Sequence, residues 1–600
     1  MLFRSTVTGG KLTVEAANHW LAALIVLPAD REQEFRALAR EIRSERLRIF
    51  NAATVLDPQR KPAPADGDGP YVAFIPDETK GFYPATGPND GERKRREYDL
   101  AAAPGQRLVF RCAVAPFEDL GACRVELSSL KGPVEIPATT ARVYVQEYRV
   151  RGSGVSEAAL IPAAEWPIEK GVSRCWWFWM RVPPEAPAGA YSGRMTVRPE
   201  KGPAKEFPVK LTVYPFALEE ILPVSFGMYY SRPADPRVVA EQLRFMREIG
   251  FTATVVGSGN VTGVKGDDVQ IQFDPTMWNL AREAGMGRHP LQFQMGQSLG
   301  CARAIARLGL GLYGRVDSHP GCEFEHPRLK PLYINAMRKY AAFIEKQGLP
   351  VAVEIVDEPR EVPNPWNRNL AHTCLYGDWL KEAGIAHTFV TPMGDVQSGK
   401  DYTALVDHAD IVSTHAGAGS AKLMELAPRK GKRLWLYNIG MDRLSWGFYN
   451  WRVGSVGRWE WHFCWPESGS NHGYPNADEW YNPFTTGDGY APNAPSAFPG
   501  AMLFKSVFLT CSEGIADTAY LATLEKAMQS AADRPAKAEA LEKARTFLEE
   551  LKADIPFLPE VKGLEGADSG ALVGKGIAGP LGERCEAWRR KIADLLIELK

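Results

Sequence analysis

The chain has 600 residues, 45% hydrophobic and 24% charged, and its 71 basic and 72 acidic side chains leave a formal net charge of −1. That length exceeds what one hydrophobic core serves, so roughly two to four domains are expected. The balanced charge argues against nucleic acid or an anionic membrane as partner, and no apolar run reaches the ~18 residues of a membrane span.

The nine cysteines are scattered and show no Cys-x-x-Cys spacing, so neither a zinc knuckle nor a dense disulfide framework is indicated. Cys112 and Cys123 are close enough in sequence to bridge two strands, but two buried free thiols are expected. The opening residues lack the charged-then-apolar profile of a signal peptide. The expectation is a secreted or periplasmic protein whose signal sequence is not part of this chain, a cytoplasmic location being the alternative.

In chain order, residues 1–60 read as a strand, Lys11–Pro28, and a helix, Arg31–Phe50, capped by Asp30, with Phe35, Leu38, Ile42 and Ile49 at helical spacing. They resemble the end of a carbohydrate-binding-type sandwich. Residues 61–96, rich in Pro, Gly, Asp and Lys, read as a linker or long loop. Residues 97–220 alternate in the strand manner, as in Arg107–Val114, Cys123–Leu127, Ala141–Tyr148, Trp176–Val182 and Phe207–Tyr214, and predict an antiparallel β-sandwich.

From Pro223 the pattern becomes strand, helix, strand. The predicted strands are Phe226–Tyr230, Thr252–Gly257, Pro290–Met295, Val351–Val356, His387–Thr391, Ile411–His415, Arg433–Asn438 and Trp459–Trp465. Helices are expected at Pro236–Gly250, Thr276–Gly285, Leu329–Gln347, Leu370–Gly384 and Ser420–Ala427. Eight such units within 221–512 indicate an α/β class (β/α)8 TIM-like barrel. A doubly wound sheet is disfavoured because no Gly-rich phosphate loop follows a strand. Residues 513–600 read as a C-terminal helical segment.

The sharpest chemical feature is Val351-Ala-Val-Glu-Ile-Val-Asp-Glu-Pro359, a β-branched run ending in two acids. Working groups of barrels stand at the C-terminal ends of strands, which is where Asp357 and Glu358 fall. Adjacent carboxylates oppose each other's ionisation, giving an acid beside a base as glycoside cleavage requires. Strand seven ends in Tyr437 and Asn438, with the nearest acid, Asp442, beyond Gly440. A nucleophile across the barrel is therefore poorly supported. The pair suits a substrate-assisted route, in which the substrate's 2-acetamido oxygen attacks the anomeric carbon while Asp357 orients the amide and Glu358 acts as acid and base.

Trp461 and Trp465 are candidate sugar platforms. Tyr229, Gln294, His415, Tyr437 and Asn438 fall at other strand ends as candidate substrate contacts, a structural role being equally open to each. His415, His462 and His472 match no tight ligand spacing, so no metal and no cofactor is expected. No Gly-x-Ser-x-Gly elbow is present.

Three stretches resemble glycoside hydrolase family 123, the retaining β-N-acetylgalactosaminidases, and the related barrel proteins of domain of unknown function family 4091. They are Trp176–Val182 with Pro187–Gly193, then Val353–Pro359, then Gly487–Gly489 with Pro499-Gly500 and Ser512–Leu521. The resemblance covers about residues 97–550. It implies a glycan or glycoconjugate substrate carrying terminal β-linked N-acetylhexosamine, with Asp357 stabilising the acetamido group and Glu358 as acid and base. Ser512 stands where the family carries Arg, and Ala516 and Ala519 replace acidic positions. The alternatives are a glycosidase of another sugar and a non-catalytic glycan-binding barrel protein.

Overall fold

The computed structural model describes residues 69–151, 154–230, 236–257, 259–293, 297–311, 326–359, 370–391, 401–414, 421–461, 463, 503–557 and 578–600, with a few single positions ahead of them. The strand and helix expected within 1–60 lie outside the described residues apart from those single positions.

Eight short strands make one parallel sheet: β1 (Ser225–Met228), β2 (Val255–Val256), β3 (Leu291–Phe293), β4 (Val351–Asp357), β5 (Thr388–Thr391), β6 (Ile411–Thr414), β7 (Arg433–Tyr437) and β8 (Gly457–Glu460). Their order is β1-β8-β7-β6-β5-β4-β3-β2. The N–H groups of Thr252 and Ala253, approaching β2, donate to the carbonyl of Phe226 in β1 at 2.9 and 3.0 Å, which brings the sheet's two ends together as a cylinder. Strands buried on both faces need apolar, β-branched runs, and Val351 to Val356 are all buried. Helices Pro236–Glu248, Thr276–Glu283, Leu329–Gln347, Leu370–Glu382 and Ala421–Arg429 lie between strands within two residues of their expected bounds.

Aromatic rings fill the cylinder. Trp435 and Trp459 stack at 5.5 Å, and Phe389 lies 5.5 Å from Trp435. Glycine makes the room: a Cβ on Gly227 would stand 2.6 Å from the Trp459 indole, and one on Gly457 would strike Trp435. Part of the aromatic crowding near strand eight is therefore core packing. β8 is described over Gly457–Glu460, after which the N–H of Trp461 turns to the side chain of Asn438; residues 462, 464 and 465 of the expected strand lie outside the described residues.

A two-sheet sandwich precedes the barrel. One sheet runs Tyr71–Phe74, Arg107–Pro116, Arg174–Arg181, Ala141–Arg151, Gly154–Pro162; the other is built mainly from Tyr98–Ala102, Lys205–Val213, Gly189–Pro199, Gly121–Leu127 and Glu165–Ile168. Tyr71–Phe74 and the helix Asp90–Lys94 correct the reading of 61–96 as loop. The strand is only four residues long, and it forms by pairing with Ala113–Pro116, a partner that local composition does not reveal.

Alternation along Arg174–Arg181 explains its tryptophans. Trp176 and Phe178 enter the sandwich core, whereas Cys175, Trp177 and Trp179 enter the core shared with the barrel. Arg107 and Arg142 lie over the Trp179 ring and both reach Glu248 of the first barrel helix at 2.8 Å. Cys112 and Cys123 are buried and free.

Helices Val507–Ala531, Ala538–Asp554 and Ala578–Leu599 follow, the first beginning ahead of residue 513. Their joint to the barrel is ionic. Asp517 accepts from Arg443 at 2.7 and 2.9 Å and from Arg589 at 2.6 Å, and Arg589 also reaches Glu513 at 2.5 Å. Among the described residues no helix is long and apolar enough to cross a membrane.

Candidate active site

β4 supplies the acidic pair. The six residues before Asp357 are buried, whereas Asp357 and Glu358 are half-buried, so the strand delivers them out of the packed interior. Two backbone irregularities shape this delivery. Glu354 pairs with Phe389 of β5 and Asp357 with Thr391, three residues against two, so β4 carries a bulge. In an unbroken strand residues three apart face opposite ways; the extra residue restores Asp357 to the side of Glu354. Then Glu358 takes φ 48°, in the left-handed region. For a residue with a Cβ that conformation costs about 1–2 kcal/mol, and such strain concentrates at functional sites. The turn breaks the alternation that would send Glu358 away from its neighbour, and Pro359 follows it out of the strand.

Asn438, at the end of β7, is the other non-glycine residue at positive φ among those described, at 50°. Its Oδ1 accepts from the Trp461 N–H at 2.8 Å, and its own N–H donates to the Trp459 carbonyl at 3.2 Å. Asn438 therefore clamps the end of β7 to the residue after β8. Trp461 is half-buried, its ring 5.4 Å from that of Tyr229.

Tyr229 and Tyr437 sit between these two corners. Tyr229 is buried, packs 5.2 Å from Tyr437, and donates its hydroxyl to Glu354 Oε1 at 3.3 Å. Burial, then the Glu354 carboxylate, pushes the Tyr229 phenol well above its ordinary range. Tyr437 is raised the same way by burial, then by Asp357, Glu460, Glu354 and Glu358 in turn. Both phenols are thus neutral O–H donors at neutral pH. The charges that act on Tyr437 also show that the pair, Glu354 and Glu460 share one neighbourhood.

The structure thus brings Asp357, Glu358, Tyr229, Tyr437, Asn438 and Trp461 to the ends of β4, β1, β7 and β8. All strands are parallel, so these ends open on one side of the barrel. Gln294 and His415 immediately follow β3 and β6 but, like Trp465, lie outside the described residues. Glu354 was missed in the sequence, where attention falls on strand ends. Its signal is a lone acid inside an apolar run, here 1% exposed. Asp442, the acid nearest strand seven, instead caps helix Arg443–Trp446 by accepting from the Ser445 N–H at 2.9 Å. Among the described residues no three His, Cys, Asp or Glu side chains are grouped as a metal site. Adjacent carboxylates beside neutral phenol donors can pass a proton to a leaving group and steady a developing cation.

No family model matches the sequence, and no curated protein matches it. Among solved structures the chain is similar to a family 123 glycoside hydrolase from Clostridium perfringens, studied for glycolipid glycan hydrolysis. The TM-score is 0.60 and the identity 12%, over 88% of this chain and 98% of that one. A family 39 glycoside hydrolase from Bacteroides cellulosilyticus WH2 aligns over 61% of this chain and 76% of that one at 13% identity, with a TM-score of 0.29 that carries no weight. The resemblance to family 123 is a likeness of fold, sandwich and barrel together; at this identity it assigns no residue a role.

Proposed function

We propose that the chain is a glycoside hydrolase that removes terminal β-linked N-acetylhexosamine, of the N-acetylgalactosamine kind, by substrate-assisted retaining catalysis. The observation that carries this reading is the half-buried pair Asp357 and Glu358 at the end of β4, with Glu358 held in left-handed backbone. A double displacement with an enzyme nucleophile needs a second carboxylate about 5–5.5 Å from the first across the sugar. The end of β7 offers Tyr437 and Asn438 instead, and Asn438 Oδ1 is engaged by Trp461. The substrate's acetamido oxygen supplies the nucleophile in its place.

Asp357 then accepts the amide N–H and stabilises the oxazolinium, while Glu358 protonates the departing oxygen and afterwards activates water. Tyr437, a neutral donor in the field of both acids, is suited to orient the acetamido carbonyl for its attack. Trp461 offers an aromatic face to the ring. Glycans of this class lie mainly outside the cell, which fits a secreted or periplasmic enzyme.

The test is a pair of aryl β-glycosides of one sugar, differing only in a 2-acetamido or 2-hydroxy group. The acetamido substrate should turn over at least about 100-fold faster, since an intramolecular nucleophile carries a large effective molarity, and a thiazoline mimic of the intermediate should inhibit. Equal rates, or trapping by a fluoro-sugar on a residue other than Asp357, would establish a glycosidase with its own nucleophile. Glycan binding without hydrolysis, unaltered by Asp357→Asn, would establish a non-catalytic barrel.

A further inference from the structure

Apart from the barrel mouth, the described residues enclose a cleft of about 830 Å³. Its walls are the loop 75–83 of the sandwich, the barrel helix Arg443–Trp446 and the C-terminal helices Val507–Ala531 and Ala578–Leu599. None of the described residues of the candidate active site lines it. The volume falls within the roughly 300–1,000 Å³ usual for small-ligand sites.

Most charges of this cleft are settled within the protein. Arg443 and Arg589 are held by Asp517, Glu513 and Glu586. Arg111 donates to the carbonyls of Asp77 and Lys80 and lies 4.9 Å over the Trp177 ring. Glu157 accepts from the N–H and the hydroxyl of Ser506, both at 2.7 Å. Glu583 and Arg95 line the cleft without a side-chain hydrogen bond or ion pair among the described residues, and so does Glu78, whose side chain is exposed within it. Glu78 is ringed by protein all the same: burial, then the carboxylates of Glu513 and Glu586, raise its carboxyl to about 7 against the pull of Arg443 and Arg111.

An occupant must therefore bring hydrogen-bond donors to the carboxylates of Glu78 and Glu583 and an acceptor to Arg95. The remaining surface mixes apolar side chains such as Phe82, Leu108 and Leu444 with charged groups already paired within the protein. A ligand with apolar faces and a rim of hydroxyls, each able to donate and to accept, fits that lining and answers unpaired groups of both signs.

We propose that this cleft is a second saccharide-binding site, separate from the acidic pair, in which Glu78 accepts from ring hydroxyls. It does not depend on the catalytic reading, because binding here uses none of the barrel-mouth residues.

The test uses the full chain carrying Asp357→Asn and Glu358→Gln together, so that nothing is hydrolysed. N-acetylgalactosamine, galactose and cellobiose are offered singly at millimolar concentration, and saturation-transfer NMR reports binding. The expected result is transfer to at least one sugar that survives Trp461→Ala and is weakened about tenfold or more by Glu78→Lys, the scale of a lost charge-assisted hydrogen bond. Glu78→Gln, which keeps an acceptor, should weaken it less. Glu78 is exposed, so both variants should fold, and circular dichroism checks this. Any of three results overturns the proposal: no transfer to any of the sugars, transfer indifferent to Glu78→Lys, or binding of tetramethylammonium in place of sugars. Transfer abolished by Trp461→Ala would return the binding to the barrel mouth.

Discussion

Replacing Asp517 with Ala tests whether the C-terminal helices are joined to the barrel by a buried ionic node. Asp517 is fully buried, Arg589 is 2% exposed, and Arg443 is 12% exposed. The carboxylate accepts three bonds of 2.6–2.9 Å from the two guanidinium groups. Its removal leaves two buried cations sharing only Glu513 and Glu586. Breaking a buried pair in this one-sided way costs about 3–5 kcal/mol. The adjacent Arg590 supplies the control: its pair with Asp99 spans 2.9 Å, but the partners are 36% and 64% exposed. Such a pair contributes less than about 1 kcal/mol. For a cooperative unit of 150–250 residues, where about 1 kcal/mol moves Tm by 2–4 °C, Asp517→Ala should lower Tm by roughly 6–20 °C and Arg590→Ala by no more than about 4 °C. Calorimetry with parallel urea unfolding measures both. A loss for Asp517→Ala within about 1 kcal/mol of the parent, or equal losses for the two variants, would refute the reasoning.

Three further outcomes follow from the site. Asn438→Ala should destabilise by about 1–2 kcal/mol and Asn438→Gly by less, because alanine meets the left-handed penalty while both lose the bond from Trp461; urea midpoints decide, and an equal or reversed order removes the clamp from the account. Glu354→Gln should lower kcat about tenfold with little change in KM, the charge-assisted bond from Tyr229 becoming a neutral one, and an unchanged kcat would make Glu354 a bystander. Asp442→Asn concerns pH. Burial raises the Asp442 carboxyl, against the bonds from Ser445. A raised folded pKa gives stability that is complete below the unfolded value and fades as pH rises through the folded one. The amide should therefore match or exceed the acid by up to about 1 kcal/mol at neutral pH, and lose that advantage at and below the ordinary carboxylate range; denaturant midpoints at the two pH values would count against this if the acid were better at neutral pH.

The barrel was legible because fully buried parallel strands are predominantly apolar, so Val351–Val356, Ile411–Thr414 and Arg433–Tyr437 announce themselves as short runs between helices. Strand ends carry the chemistry of a barrel, and that rule alone led to Asp357 and Glu358. What stayed hidden depends on partners distant in the chain. The bulge in β4 exists only against β5, so the shared side of Glu354 and Asp357 has no local signature. Tyr71–Phe74 becomes a strand because Ala113–Pro116 lies beside it. The Ser512–Leu521 stretch carried the family resemblance, yet its residues act as a joint: Glu513 accepts from the Val109 N–H at 3.1 Å, Asp517 holds two arginines, and Tyr520 donates to Gln106 at 2.7 Å. Arg589, the centre of that joint, lies in a helix whose sequence shows only two arginines in succession.

The most direct measurement is steady-state hydrolysis of an aryl β-N-acetylgalactosaminide by Glu358→Gln across a series of leaving groups. The account predicts a kcat lowered about 10²–10⁴-fold for poorly departing phenols, the usual contribution of a general acid, and a smaller loss as the phenol becomes more acidic and needs no proton. An undiminished rate on the poorest leaving group would contradict the assignment of Glu358 and, with it, the enzymatic role of the pair.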